Sequence, residues 1–539
     1  MASTMFSPEA PPMISLLTPM GALAMLLITL LISLAAVVLG YLADTKSLRR
    51  FPSPCVAAFT PFWAIWQNVK GRRYLAVEAA HRKLGPVIRI GPNSVSFSDP
   101  HAYKVIYGHG SPIVKDEFYD NLAGSTPAMA DTSDRHLHAA KRKNVSSIFS
   151  AKHIALMEPK IVEAVGSLLQ AIEAKSMGKA VSEADLHQVS SNGEFDLRPW
   201  LNMFTFDAFS SVLWSSSYNF LKRGNDECKS MDVDGRVTTV HAMDSFQTGV
   251  HFNSLCAQLG PSRYRFARWV AKWTRQSRAV DKFSGMSRYG TITRLKQTVE
   301  GVDFFSFFPV EVTPKTPSPM TVPDLVAECA SFLNAGNDTT QITLTNVMFQ
   351  LATHPTHQDQ LYNDLLRSLS RTAQPVASFA ELSQIPYLLA CIDETLRLMP
   401  PVRFGFPRRT VGKGSMISGH HIPAGVTVSA SVYTMHRDEN LFHDAEDWIP
   451  ERWISGSPHS SEDEIKRLKE FVLPFTTGGR ACIGRNLAYM ELSICIAALV
   501  MAFEWHISDT ACKSFTHFER FNTSPVSLMV SATPRQTQE

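Results

Sequence analysis

The chain's hydrophobic pattern begins with a run from residue 10 to residue 43 that holds no charge. Its core, residues 21–42 (GALAMLLITLLISLAAVVLGYL), is interrupted only by Thr29, Ser33 and Tyr41. As a helix it would span roughly 33 Å at 1.5 Å per residue, against about 30 Å of bilayer hydrocarbon. Lys46, Arg49 and Arg50 come directly after it, whereas Glu9 is the sole charge ahead of it. Basic flanks stay in the cytosol, so the rest of the chain is expected there. A cleaved leader would have an apolar region of about 7–15 residues behind a basic start, and this segment has neither. The pattern predicts a single-pass anchor at 21–43 in the endoplasmic reticulum membrane, with residues 1–20 lumenal. Pro52, Pro54 and Pro61 cannot continue a helix. Residues 44–62 therefore read as a hinge, and 63–539 as one cytosolic domain.

Within that domain residues 74–84 have a helical pattern that ends at Gly85-Pro86. Two short strands, 87–90 and 94–97, flank a turn at Gly91-Pro92. Residues 108–133 are rich in Gly, Ser, Pro and Asp and read as irregular. Helical periodicity dominates 135–400, with breaks near Gly224, Gly260 and the prolines of 309–323. After Pro400 come β patterns at 416–417, 421–422 and 426–432, then a helix from about 484 to 503 and strands in the tail. The expected fold class is mainly α with a minor β-sheet.

Composition narrows the function. A net charge of +3 is too small and too scattered for nucleic acid. Basic runs at Lys141-Arg142-Lys143 and at Lys466-Arg467 with Lys469 read as solvated surface, or else as a dock for an acidic partner. The eight cysteines, at 55, 228, 256, 329, 391, 482, 495 and 512, include no C-x-x-C pair, which excludes zinc ribbons and thioredoxin-type redox motifs. Most read as small buried hydrophobes in a reducing compartment.

Cys482 is different. It stands in Phe475-Thr476-Thr477-Gly478-Gly479-Arg480-Ala481-Cys482-Ile483-Gly484. The glycines let a loop turn tightly and lie flat against a planar ligand. A thiolate just ahead of a helix receives backbone N–H groups and the positive end of the helix dipole. Arg480 adds a cation able to pair a carboxylate. The decamer resembles the haem-binding signature of the cytochrome P450 family, F-x-x-G-x-R-x-C-x-G, with every fixed position filled. The resemblance implies a P450 fold binding haem b, with Cys482 as axial ligand to the iron and Phe475 and Arg480 beside the haem.

Other matches stand in the family's order. Glu394-Thr395-Leu396-Arg397 resembles E-x-x-R, whose ends share a helix face. Pro450-Glu451-Arg452-Trp453 resembles the element whose arginine completes a buried Glu-Arg-Arg cluster. Ala335-Gly336-Asn337-Asp338-Thr339-Thr340 resembles the oxygen-activating motif. By that resemblance Gly336 lets the haem approach and distorts the helix locally. Thr339 offers a hydroxyl toward dioxygen, and Asp338 relays protons, as an O–O cleavage demands. His138 and Arg142 resemble W-x-x-x-R, which binds a haem propionate, with histidine replacing tryptophan. Arg408 resembles a further propionate arginine, and the adjacent Arg409 competes for that role.

The resemblance spans about 74–530 and is nearest to fungal microsomal members. It implies a monooxygenase that inserts one oxygen atom from O₂ into an apolar small molecule, an intermediate of specialised metabolism. NADPH would supply electrons through a separate cytochrome P450 reductase, with cytochrome b5 as a second candidate donor, since the chain has no flavin domain. Lys141 and Lys143 are expected to help dock the reductase. Membrane lipid is the other expected partner. Two rival functions remain open: a haem-thiolate isomerase, dehydratase or peroxygenase needing no reductase, and a non-catalytic haem sensor.

Overall fold

The computed structural model describes residues 19–54, 56–185, 193–310, 319–369 and 376–535. The expected lumenal segment lies outside the described residues up to position 18. The first helix, Pro19–Ala43, is apolar on every side, and from Gly21 to Ala43 none of it is buried against the domain. Tyr41 at its end packs against Phe59 with the rings tilted, centroids 4.3 Å apart. The next segment is docked to the domain. Leu48 and Phe51 are buried in a small core beneath the main sheet, and Lys46 Nζ donates to Asn93 Oδ1 and the Gly425 carbonyl, each at 2.9 Å.

A long helix, Val322–Thr353, runs through the centre. Its start is fixed by a capping box, in which Thr321 and Asp324 satisfy each other's backbone N–H, with Pro323 in the first turn. Helices Leu197–Trp214, Arg275–Leu295, Pro386–Leu398 and Arg485–Ala502 pack against it. Arg485–Ala502 is long and apolar enough to cross a membrane, but it lies in the main core. A helix hydrophobic all round belongs in such a core.

The five-stranded sheet has the order Val87–Gly91, Ser94–Phe97, Thr427–Ala430, Arg408–Arg409, Val114–Lys115. Thr427–Ala430 runs parallel to Ser94–Phe97, with Val428 opposite Val95, and antiparallel to Arg408–Arg409. This sheet carries residues 408 and 115 to one place although 293 positions separate them. The expected strand at 426–432 stops at Ala430, because Ser431 caps a short helix, Val432–Met435.

Two elements depart from the expected helical run, and the shorter is the strand Phe195–Asp196, which pairs with Met529 and Val530. Glu227–Met231 and Val237–His241 form an antiparallel hairpin. Alternation of buried Cys228 and Ser230 with exposed Glu227 and Lys229, and the turn at Asp234-Gly235, are strand signals embedded in a helical context.

Candidate haem site

The loop before helix Arg485–Ala502 is held by its own backbone. Cys482 N donates to the Phe475 carbonyl at 2.9 Å, and Ala481 N to Gly478 at 3.1 Å. Gly478 has φ +76°, and a Cβ there would lie 2.3 Å from the Tyr107 carbonyl oxygen. Only glycine fits. The Phe475 ring packs on Tyr489 at 5.6 Å and under the Arg485 guanidinium at 5.8 Å.

The Cys482 side chain is exposed, yet burial pushes its thiol pKa up. The two agree when the sulfur faces space inside the protein. The Gly484 and Arg485 N–H groups, with the Arg142 and Arg485 cations, pull the other way and favour the thiolate. Arg142 also donates to the Ala481 carbonyl at 3.1 Å, so it lies against the loop.

Around this space stand three basic side chains, two of them arginines without an ion-pair partner among the described residues. Arg408 is buried and donates to neutral groups, the Tyr119 hydroxyl at 3.3 Å and the Pro407 carbonyl at 3.1 Å. Arg480 donates to the carbonyls of Thr132, Ser133 and Asp134 at 3.0, 3.4 and 3.4 Å. Lys115 donates to the Ala130 carbonyl and sits 3.9 Å above the Tyr119 ring. Among the described residues Arg408 and Arg480 make no ion pair, whereas the Asp131 carboxylate lies close enough to Lys115 to oppose the effect of burial on it. Burial and the neighbouring Arg408 lower both Lys115 and Arg480, the latter to about 10. Burial, then Arg480 and Arg142, lower His138 to about 4, so it is neutral at pH 7. Such a cluster fits a ligand carrying two carboxylates, as haem does. Arg409 is otherwise engaged, paired with Asp116 at 3.4 Å and with Glu117. Lys115 is the one member with no sequence signal, a lysine in an irregular stretch.

On the central helix Ala335 is exposed and Thr339 partly so, one turn apart on one face. The Thr339 hydroxyl donates to the Ala335 carbonyl at 2.7 Å. Two expectations change here. A Cβ on Gly336 would lie 2.1 Å from Cε2 of Phe209, so this glycine admits a neighbouring helix and not a planar ligand. The helix also runs unbroken through it. Asp338 does not meet Thr339. Successive helix positions diverge by about 100°, and the Asp338 carboxylate accepts from Asn522 Nδ2 at 2.7 Å and Gln341 Nε2 at 3.1 Å. Burial raises its pKa.

Glu394, Arg397 and Arg452 do come together. Arg397 donates to both Glu394 oxygens at 2.9 and 2.8 Å, and Arg452 Nε donates at 3.3 Å. Trp453 Nε1 and the Ile449 N–H add donors at 2.9 and 3.1 Å. Arg397 Nη1 reaches the His436 carbonyl at 2.7 Å, and His436 Nδ1 meets the Arg397 carbonyl at 2.9 Å. His436 Nε2 then accepts the N–H of Leu473, two residues before the cysteine loop. The cluster braces the loop from behind.

Lys141 leaves the set of expected docking residues. Its Nζ lies 3.2 Å from both Asp324 Oδ1 and Glu328 Oε1, and its side chain is only 11% exposed. It joins two helices, whereas Lys143 is exposed.

Aromatic rings converge nearby. Phe118 and Phe521 stack at 6.3 Å, Phe404 meets Phe521 edge-on at 5.4 Å, and Phe406 lies 5.8 Å from Phe404. Phe521 directly precedes Asn522, the Asp338 partner, and Phe406 lies two residues before Arg408.

A helical fold with a thiol, a carboxylate-binding edge and a hydroxyl-bearing central helix defines a haem-thiolate protein. The model of the family described as Cytochrome P450 matches residues 54–532, and the chain belongs to that family. It is 29% identical to the benzoate 4-monooxygenase bphA of Aspergillus niger over 97% of this chain and 98% of that protein. It is 28% identical to the cytochrome P450 monooxygenase mpaDE of Penicillium roqueforti over 85% of this chain and 52% of that longer protein. With the cytochrome P450 monooxygenase cicH of Emericella nidulans it shares 26% identity, over 90% and 95% of the two chains.

Proposed function

We propose that the chain is a membrane-anchored monooxygenase that inserts one oxygen atom from O₂ into an apolar small molecule of specialised metabolism. The observation that carries this reading is the accessible Cys482 thiol beside two arginines, Arg408 and Arg480, that form no ion pair among the described residues, with Lys115 next to them. Haem held by a thiolate supplies the iron at which dioxygen is activated, with electron density pushed toward O–O cleavage.

The chain's own residues have distinct parts. Cys482 would give the sulfur ligand; burial raises its thiol, and the Gly484 and Arg485 amides with Arg142 pull toward the thiolate that a metal would hold. Arg408, Arg480 and Lys115, with Arg142 and neutral His138, would hold the two propionates. The Thr339 hydroxyl faces the open side and would pass protons there, with Asp338, held by Asn522 and Gln341, as the acid beside it on the helix. Phe118, Phe404, Phe406 and Phe521 wall the substrate space and favour planar or aromatic compounds, a class to which the benzoate named for one relative belongs.

Electrons come from NADPH through a separate reductase, with cytochrome b5 as a second donor. The apolar helix Gly21–Ala43 fixes the protein in the endoplasmic reticulum membrane with the catalytic domain cytosolic. Exposed Phe62 at the end of the hinge and Trp66 just after it, with Phe266, Trp269 and Trp273 further on, give the domain apolar surface for lipid.

The test is the ferrous–carbon monoxide spectrum of purified, haem-loaded protein. A thiolate-type Soret band that disappears in Cys482→Ala is expected, followed by substrate-dependent NADPH consumption with reductase. A folded, haem-loaded protein with a histidine-type spectrum would overturn the reading.

A further inference from the structure

The strands His517–Glu519 and Thr523–Pro525 form an antiparallel hairpin, and its tip, residues 520–522, reaches both helix Ala242–Ala257 and the central helix. Three contacts fix the tip. Arg520 N donates to the Asn522 carbonyl at 2.9 Å and closes the turn. The Arg520 carbonyl accepts from Ser254 Oγ at 2.9 Å, and Asn522 Nδ2 donates to Asp338. The three side chains therefore leave the tip in different directions. Phe521 joins Phe118 and Phe404 in the aromatic wall, Asn522 goes to the central helix, and Arg520 lies over the Phe518 ring, 4.9 Å from its centroid.

The other arginines around this hairpin are engaged. Arg73 is paired with buried Glu519 at 2.7 Å. Arg403 donates to the Tyr74 hydroxyl at 3.1 Å and to the Pro400 carbonyl at 3.4 Å. Arg198 reaches Ser524 Oγ at 3.4 Å. The Arg520 guanidinium, by contrast, makes no hydrogen bond and no ion pair with any described residue. Two charged groups act on it. Arg198 repels it, and Asp338 attracts it from beyond ion-pair distance, with its carboxylate accepting instead from Asn522 and Gln341. Burial, then Arg198, lower Arg520 to about 10, so it keeps its charge at pH 7. His251, its neighbour on helix Ala242–Ala257, adds none: burial, then Arg520, lower it to about 4. The buried Nδ1 of His251 is itself unpartnered among the described residues. A cation held largely out of water without a counter-ion is costly, and a ligand's anion removes that cost.

We propose that Arg520 is a specificity-determining residue that receives the carboxylate of an aromatic acid whose ring lies against Phe118, Phe404 and Phe521. A planar guanidinium takes both oxygens of a carboxylate in parallel N–H···O bonds. The rings beside it keep out the water that would weaken them. One unpaired positive charge fits a monoanion, whereas the second charge of a phosphate ester would find no cation and would face Asp338. This inference rests on the monooxygenase reading above, and it narrows the substrate class from apolar planar compounds to aromatic carboxylic acids.

The experiment titrates the full-length holoenzyme with benzoate and with naphthalene-2-carboxylate, each against its uncharged amide, followed by the Soret band and by calorimetry. At least one acid is expected to bind about tenfold or more tightly than its amide, as a charge-assisted pair away from bulk water would give. Arg520→Met keeps an apolar stem and removes the charge. It should weaken the acid by about tenfold and leave the amide within about twofold of the parent, so that the preference disappears. Arg520→Lys keeps the charge without the fork and should fall between the two. Acid and amide bound alike by the parent in both pairs would overturn the proposal. So would an acid preference that survives in Arg520→Met, whether both ligands weaken equally or neither does. A parent that selects the acid but lacks the thiolate-type carbon monoxide band would instead sink the monooxygenase reading, with the anion site left standing.

Discussion

Arg397 and Glu394 meet through two parallel hydrogen bonds of 2.9 and 2.8 Å, with both side chains fully buried. Every remaining guanidinium donor is used, on the carbonyls of His436, Ala445 and Asp447. Removing one partner of such a pair leaves a buried charge uncompensated, at about 3–5 kcal/mol. Arg397→Met is therefore expected to lower thermal stability by that order and to loosen the cysteine loop, since the Arg397 guanidinium holds the His436 carbonyl and His436 in turn accepts from Leu473. The yield of folded, haem-containing protein reads both effects. Stability within about 1 kcal/mol of the parent would contradict this account.

Arg408 and Arg409 are adjacent but face different surroundings. Arg408 is buried without a carboxylate, whereas Arg409 is spent on Asp116 and Glu117. Arg408→Leu is expected to speed haem loss to a scavenging apoglobin by about tenfold or more, as removal of a charge-assisted hydrogen bond of roughly 1.5–3 kcal/mol would. Arg409→Leu should leave that rate alone, although it lowers stability by unpairing buried Asp116. Equal haem-loss rates in the two variants would show that this division is mistaken.

Gly336 separates packing from chemistry. Gly336→Ala drives a methyl into the Phe209 ring and is expected to cost about 1–3 kcal/mol of overpacking strain. Phe209→Leu in the same chain should recover part of it. Thermal unfolding of the two single variants and the double variant measures the coupling. Additive effects would mean that the ring is not what holds position 336 to glycine.

The cysteine loop is legible in the sequence because its requirements are local: Gly478, Arg480 and Cys482 lie within five positions and their backbone geometry is their own. Glu394 and Arg397 are legible for the same reason, three residues apart on one helix. The partners of Gly336, Asp338 and Lys141 are not, because Phe209, Asn522 and Asp324 lie 127, 184 and 183 positions away. Lys115 stands in a stretch without periodicity, and only the sheet brings it beside Arg408. The hairpin 227–241 is hidden by helical patterns on both sides of it.

Charge near the cysteine loop is expected to steer the reductase, and the structure separates two neighbours for that role. Lys143 is exposed, whereas Lys141 bridges Asp324 and buried Glu328. Lys143→Glu should slow reduction of the protein by its reductase by about tenfold or less at low ionic strength, with the difference fading as salt screens it. Lys141→Glu should show instead as lost stability, from three carboxylates in one place. Stopped-flow reduction across a salt series distinguishes them. A Lys143→Glu defect indifferent to salt would point away from steering.

Glu491 gives the clearest dependence on pH. It is buried on helix Arg485–Ala502, bonded to Thr340, with its Oε1 unpartnered among the described residues, and burial raises its pKa to about 8. The folded protein therefore keeps it protonated at neutral pH, while the unfolded chain releases the proton above about 4.5. Between those limits the unfolded state binds fewer protons, so stability falls as pH rises and levels off above about 8. At 1.36 kcal/mol per unit the loss by pH 7 is on the order of 3 kcal/mol. Glu491→Gln cannot ionise and is expected to escape it: the two proteins should unfold at similar temperatures near pH 4.5, with the variant increasingly the more stable up to pH 8. A constant gap across that range would mean that Glu491 is ionised in the folded protein, held by a partner other than Thr340.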